Sequence, residues 1–323
     1  MLHQQGNSNN QVPMGRSSRA KCKYGRILSG ASLSIQVASG ISLSAVLYPL
    51  VMALIYLLAY DRAMTDLKPK ARLFTRNDLK AGANIAASKE QAHYLINVMR
   101  LGNGDGVALF NGRDGDWLAA ITDAAKKSCG LSPEQQLRPQ MEESDVWLAF
   151  APLKKSRTDF IVEKATELGA TRLLPVFTEH TNSGRVKTER LAAIAIEASE
   201  QCDRMSVPDV AEASQLTDLL DNWPTDRLLL VPDETGGGKE LKSILAHAPD
   251  SKTGFLIGPE GGFAASELDA LDKLPFVRRI GLGPRILRAE TAALSALSCY
   301  QALAGDWDHQ PRFNNGYVFN AHK

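Results

Sequence analysis

The chain has 323 residues, 44% of them hydrophobic and 23% charged, a balance that excludes a wholly disordered polymer and suffices for two ordinary domains. Its formal net charge of +1 conceals an asymmetry: residues 1–68 hold 7 of the 37 Lys and Arg but 2 of the 36 Asp and Glu, leaving 30 basic against 34 acidic residues, a net of −4, in the rest. A body of that charge is not a general polyanion binder, so any nucleic-acid contact has to come from a local patch or from a partner that brings its own contacts.

The first 68 residues stand apart. Residues 1–20 are polar and rich in Asn, Gln and Ser, which reads as disorder. No charged residue occurs from Ile27 to Tyr60, and Lys21, Lys23 and Arg26 precede that run. Basic residues ahead of an apolar stretch describe a signal anchor with its basic end in the cytoplasm. Ala59-Tyr60-Asp61-Arg62 makes a poor cleavage site. Met64 follows at once, and a translated leader ahead of a start there accounts for the same junction; a core helix is the third reading. The four cysteines, Cys22, Cys129, Cys202 and Cys299, show no metal-ligand spacing; free, mostly buried thiols in a reducing cytoplasm are expected, with no metal site.

Next in chain order comes a block of short alternating apolar runs. Gly106–Phe110 and Trp117–Ile121 flank Asn111-Gly112-Arg113-Asp114-Gly115-Asp116, a hairpin signal, and the block over 69–140 reads as a small β-barrel. Ser132–Ser144, carrying Pro133 and Pro139, reads as the linker. From Asp145 strand and helix alternate. Strands are predicted at Val146–Ala151, Arg172–Phe177, Arg227–Val231, Thr253–Ile257 and Val277–Gly281. Helices are predicted at Thr158–Leu168, Glu189–Gln201, Lys239–Ala246, Ser266–Leu274 and Thr291–Ala304, with Gly169 as a C-terminal cap of the first. Repeating βα units imply an α/β domain, 145–308, with a mostly parallel sheet; 309–323 is a C-terminal tail.

Two loops fall at carboxyl ends of these strands, where open α/β sheets bind ligands. The first is Ile257-Gly258-Pro259-Glu260-Gly261-Gly262-Phe263, whose glycines permit close backbone approach or a tight turn alone. It fits neither GxGxxG nor the P-loop, which argues against a dinucleotide or ATP. The second is Gly281-Leu282-Gly283-Pro284-Arg285-Ile286-Leu287-Arg288-Ala289-Glu290-Thr291-Ala292. Its arginines could hold a phosphate or a base or be merely solvated, and Glu290 suits a helix N-terminus.

Together these loops resemble the SPOUT superfamily of knotted methyltransferases, and within it the bacterial 16S ribosomal RNA uridine-N3 methyltransferases. The resemblance covers about 70–305 and includes Arg72-Leu73-Phe74, His93-Tyr94-Leu95, Val98-Met99-Arg100, Phe110-Asn111-Gly112, Lys154-Lys155-Ser156-Arg157, Glu163–Gly169, Glu200–Arg204 and Val207-Pro208. Nothing in that family resembles residues 1–63. The resemblance implies a PUA-like RNA-binding barrel before an α/β trefoil-knot domain, working as a cytoplasmic homodimer on 16S rRNA of the assembled small ribosomal subunit. It also implies S-adenosyl-L-methionine bound at Ile257, Gly258, Pro259, Glu260, Gly261, Gly262, Leu282, Gly283, Ile286 and Leu287, with Val231-Pro232-Asp233-Glu234 as a third wall.

Uridine N3 attacks only after losing its proton, so cations at the uracil carbonyls would favour the reaction. Arg285 and Arg288 are the candidates, and Glu290 is a candidate proton acceptor that could equally cap its helix. His93 and His180 are weaker candidates for the base, and His93 is expected to pack within the barrel. Two other readings stay open: a SPOUT enzyme acting on a ribose hydroxyl or another rRNA or tRNA position, and a non-catalytic RNA-binding assembly factor.

Overall fold

The turn at Asn111–Asp116 joins the central hairpin of the first sheet. In the computed structural model, which describes residues 67–309 apart from 236 and 248–251, β3 (Gly106–Phe110) pairs antiparallel with β4 (Asp116–Ala125). Pairing β4 with β5 (Ser128–Arg138), β3 in parallel with β1 (Pro69–Phe74), and β5 with the short β2 (Ile85–Ala86) gives the order β1-β3-β4-β5-β2. A one-turn helix α1 (Lys89–Ala92) opens on a capping box in which Ser88 Oγ accepts from Gln91 N–H, and it runs into a π-helical stretch, His93–Val98. Leu73, Leu95, Val107, Leu109, Ile121 and Leu131 close the core of this barrel. The expectations for residues 1–66 and for the tail beyond 309 lie outside the described residues.

Two expectations are corrected here. The linker begins later than Ser132, because β5 continues to Arg138. Pro133 is admitted because it pairs with Ala119 where the register shifts, so its missing N–H breaks no regular ladder. His93 is exposed rather than packed in the barrel, with Nδ1 3.2 Å from Asn97 Nδ2.

The long strands of the second sheet are β6 (Val146–Phe150), β7 (Arg172–Phe177), β10 (Arg227–Pro232), β12 (Lys252–Ile257) and β13 (Val277–Gly281). Three fragments, β8 (Asp209–Val210), β9 (Ser214–Gln215) and β11 (Lys239–Glu240), complete it. The order is β11-β13-β10-β12-β6-β7-β8, with β9 also on β7, and every pairing is parallel. Side chains alternate between two cores. Val146, Leu148, Phe150, Phe255 and Ile257 face α2 (Lys155–Glu167), α3 (Thr188–Gln201), α5 (Leu241–Ala246) and α7 (Ala289–Ala304). Ala149, Leu229, Val231 and Leu256 face α4 (Leu216–Asp221) and α6 (Ala265–Asp272) on the other side. The first of these helices stops as expected: Gly169, at φ +83°, reverses the chain, while its N–H bonds Thr166 O and that of Ala170 bonds Ala165 O.

A small five-stranded barrel followed by an α/β domain built on a parallel sheet is therefore the observed architecture. Among the described residues no helix is long and apolar enough to cross a membrane. Of the described cysteines, Cys129 is buried, Cys202 half-buried and Cys299 exposed, all as free thiols.

Charges join barrel to α/β domain. Buried Arg72 donates to Ser199 O (3.0 Å) and Asp116 Oδ1 (2.7 Å), lies 3.8 Å over the Phe110 ring and faces Asp203 at 3.3 Å. Arg138 bridges Asp116 and, through both terminal nitrogens, Asp203 (2.8 and 2.9 Å). Beside this group Phe74 N–H donates to Glu200 Oε1 at 2.9 Å. Burial pushes the Glu200 carboxyl from 4.5 up to about 7, against the pull of the Phe74 N–H and the Arg72 charge. An acid raised in this way favours the fold while protonated, so that stabilisation is lost as pH rises from about 4.5 through about 7. Glu200→Gln keeps an acceptor for Phe74 and removes the titration. Urea denaturation across that range should show a flatter pH profile and, above pH 7, a gain of up to about 3 kcal/mol; an unchanged profile would acquit Glu200.

Candidate active site

Because β13, β10 and β12 are neighbours and parallel, the chains leaving their carboxyl ends emerge side by side. These are 233–238 after β10, 258–264 after β12 and 282–288 after β13, so the two loops singled out in the sequence and the expected third wall converge. Ile257 is 3% exposed with its side chain in the core, which leaves its backbone for the site. Pro259 is buried, Gly258, Gly262, Leu282 and Leu287 are half-buried, and Glu260, Gly261 and Gly283 are exposed.

Two close approaches require glycine. A Cβ on Gly238 would fall 2.2 Å from Ile280 C and 2.6 Å from Gly281 N, so only glycine lets the first loop lie against the strand end feeding the third. Gly262 sits at φ +69°, and a Cβ there would lie 3.1 Å from Glu234 Oε1. Gly283, at φ +97°, faces open space. The first loop is held from within: burial opposes ionisation of Asp233, but hydrogen bonds from Thr235 and the Arg279 charge prevail and keep its carboxyl below the usual value.

The N–H groups of Gly283, Ile286 and Leu287 have no partner among the described residues. Ile286, beside them, is 78% exposed, a large apolar side chain in water. Free backbone donors next to apolar side chains and Cβ-free backbone suit a flat heterocycle with polar edges.

Around this cleft stand charged groups. Arg285 and Arg288 are exposed, and their guanidinium groups make no hydrogen bond or ion pair among the described residues. Arg288 is the N-cap of α7 and Glu290 lies in its first turn, favourably placed for the helix dipole. Glu290 faces Arg157 at 3.7 Å through Oε1, while its Oε2 is buried without a hydrogen-bond partner. Arg157 also reaches Glu260 at 3.3 Å, so one guanidinium on α2 ties together the two glycine loops. His180, in the chain after β7, has Nδ1 3.1 Å from Gly261 O and 3.2 Å from Gly262 O. Two carbonyl acceptors place the proton on Nδ1, and the lone pair of the neutral ring is then on Nε2. The sequence supplied no signal for Arg157 as a tie or for the His180 anchor, because their partners lie 81 to 133 positions away.

The comparisons agree with this geometry. A family model for an RNA methyltransferase domain matches residues 140–301, and one for an RNA methyltransferase PUA domain matches 88–133. The chain is 35% identical over 231 residues to the ribosomal RNA small subunit methyltransferase E of Rickettsia conorii, covering 70% of this chain and 93% of that protein. Against the protein of the same name from Bacillus subtilis it is 29% identical, covering 72% and 96%. Among solved structures, the ribosomal RNA small subunit methyltransferase E from Neisseria gonorrhoeae, bound to S-adenosyl methionine, superimposes with a TM-score of 0.68 at 27% identity, covering 73% of this chain and 99% of that one. Fold, converging loops and extent of likeness lead to one conclusion: this chain belongs to the family of the ribosomal RNA small subunit methyltransferases E, two-domain RNA methyltransferases.

Proposed function

We propose that this protein transfers a methyl group from S-adenosyl-L-methionine to N3 of a uridine in 16S rRNA, acting in the cytoplasm as a homodimer on the assembled small subunit. The observation that carries the reading is the convergence of three glycine-bearing loops beside two exposed, unpartnered arginines on the last of them. The relatives' name and the S-adenosyl methionine bound to the Neisseria protein support it.

The residues present fit the cofactor. Gly238 packs the first loop directly on the end of β13, Gly283 leaves open space beside the third loop, and the N–H groups of Gly283, Ile286 and Leu287 supply donors for a purine edge. Ile257, Gly258, Pro259, Glu260, Gly261, Leu282 and the exposed Ile286 side chain would complete its walls. When bound, the cofactor supplies an electrophilic methyl group on a sulfonium sulfur.

The chain's own residues do the rest. Arg285 and Arg288 face the uracil carbonyls and stabilise the anion left when N3 loses its proton; each pKa unit by which they ease that loss is worth about 1.36 kcal/mol. Glu290 accepts the proton, with Arg157, 3.7 Å from its Oε1, orienting the carboxyl group. Phe160 on α2, Leu303 near the end of α7 and Trp307 just beyond it are exposed apolar residues, available to a second copy in the homodimer.

Gly261→Val should abolish the calorimetric heat of S-adenosylmethionine binding while leaving circular dichroism unchanged. Its backbone is not left-handed, and an added Cβ meets the His180 Cβ at 3.2 Å, a clash that a small shift relieves. Retained binding would remove this loop from the site. Small subunits from cells lacking the protein should lack one 3-methyluridine by nucleoside mass spectrometry, restored by the enzyme and cofactor; a methyl group on a ribose oxygen would defeat the reaction assigned. In the same assay Arg288→Ala should lower kcat by on the order of 10²–10³ with cofactor affinity little changed. Arg288→Lys should recover part of it, since a point charge does not reproduce a planar fork of donors.

A further inference from the structure

Next to the glycine loops, along the same sheet edge, lies a cavity of about 310 Å³ that the function proposed above does not use. It is lined by Lys155, Arg185, Lys187 and Arg190, with Asp159 as the one acid. Arg190 is neutralised by Asp159 through bonds of 3.1 and 2.5 Å, whereas Lys155, Arg185 and Lys187 are exposed and their charged groups have no partner among the described residues. Two helices begin at its wall. Lys154 is the N-cap of α2 and Lys187 the N-cap of α3; neither side chain caps, and α2 has no acid in its first turn. Cations at the positive ends of two helix dipoles repel them, an arrangement that an anion between them would reverse. In a chain whose body beyond residue 68 carries a net charge of −4, this is a local concentration of positive charge.

Its position indicates what the anion belongs to. The cavity is built from the chains leaving β6 and β7, the next two strands after β12. Arg157, two residues beyond Lys155, pairs with Glu260, and His180 bonds Gly261 and Gly262, so the walls of the cavity and the glycine loops are joined. A base presented to those loops leaves its own sugar–phosphate chain running along this edge.

We propose that the cavity takes a phosphodiester of the RNA strand beside the methylated nucleotide, with Lys155, Arg185 and Lys187 as its cations. The inference rests on the function proposed above for its choice of polymer, and direct binding of small subunits tests it without turnover. With the full chain in filter binding, Lys155→Ala/Arg185→Ala should weaken subunit affinity on the order of 10-fold. It should also flatten the slope of log affinity against log salt by roughly 0.7 to 0.9 for each phosphate charge no longer neutralised, leaving S-adenosylmethionine binding unchanged. Lys187→Asp separates binding from folding. It installs a good N-cap, so the melting temperature should rise by on the order of 2–4 °C while subunit affinity falls; a rise in both would make Lys187 merely structural and overturn its role. Unchanged affinity and salt slope in both variants would overturn the proposal. So would inorganic phosphate raising the melting temperature of the wild type but not of the double variant while subunit binding stayed the same, because the site would then serve a free anion. Failure of the wild type to methylate subunits, with both variants still binding them more weakly, would defeat the reaction and leave the cavity assigned.

Discussion

The carboxyl edge of the sheet exists because β10 is hydrogen-bonded in parallel on both sides, to β12 and to β13. Parallel neighbours cannot be joined by a tight turn, so the chain passes through α5 before β12 and through α6 before β13, and β10, β12 and β13 deliver their ends to the same edge. That geometry obliges 233–238, 258–264 and 282–288 to meet, whatever their side chains. It also fixes the register: a slip of one residue would send Leu229 and Val231 into the core of Leu230 and Phe255.

The barrel depends on a different kind of interaction. Arg72, Asp116, Arg138 and Asp203 form a group in which each charge meets at least two others or a carbonyl, with Arg72 and Asp116 buried. Such a group adds little net stability over apolar packing, but removing one member strands the others, at about 3–5 kcal/mol. Its contribution is orientation: the acceptors on α3 and just after it define one seat for β1.

The strands of the α/β domain are legible in the sequence because they are short apolar runs bounded by Gly, Pro and Asp, and Gly169 announces the end of its helix. The short α4, Leu216–Asp221, has too few turns for a helical period to show. The far half of β5 is hidden because Pro133 and three polar residues after it look like a linker; a register shift makes room for them, and such a shift leaves no mark in sequence. Gly-rich loops can be seen as unusual but not as neighbours, and the resemblance to a known family supplies what spacing does not. Composition points away from RNA, since three unpartnered cations around one cavity vanish in a body of net charge −4.

The seat of β1 bears on how such a protein can be rearranged. A barrel cut away at the 139–145 connection takes Arg72, Asp116 and Arg138 with it and leaves Ser199, Glu200 and Asp203 behind. Neither piece is then a self-contained module. A barrel transplanted onto another catalytic domain would present a buried guanidinium to whatever surface it met, and would dock only where a carbonyl and a carboxylate already stood at the end of the receiving helix. Exchange of this barrel is thereby restricted to recipients that carry the other side of the lock.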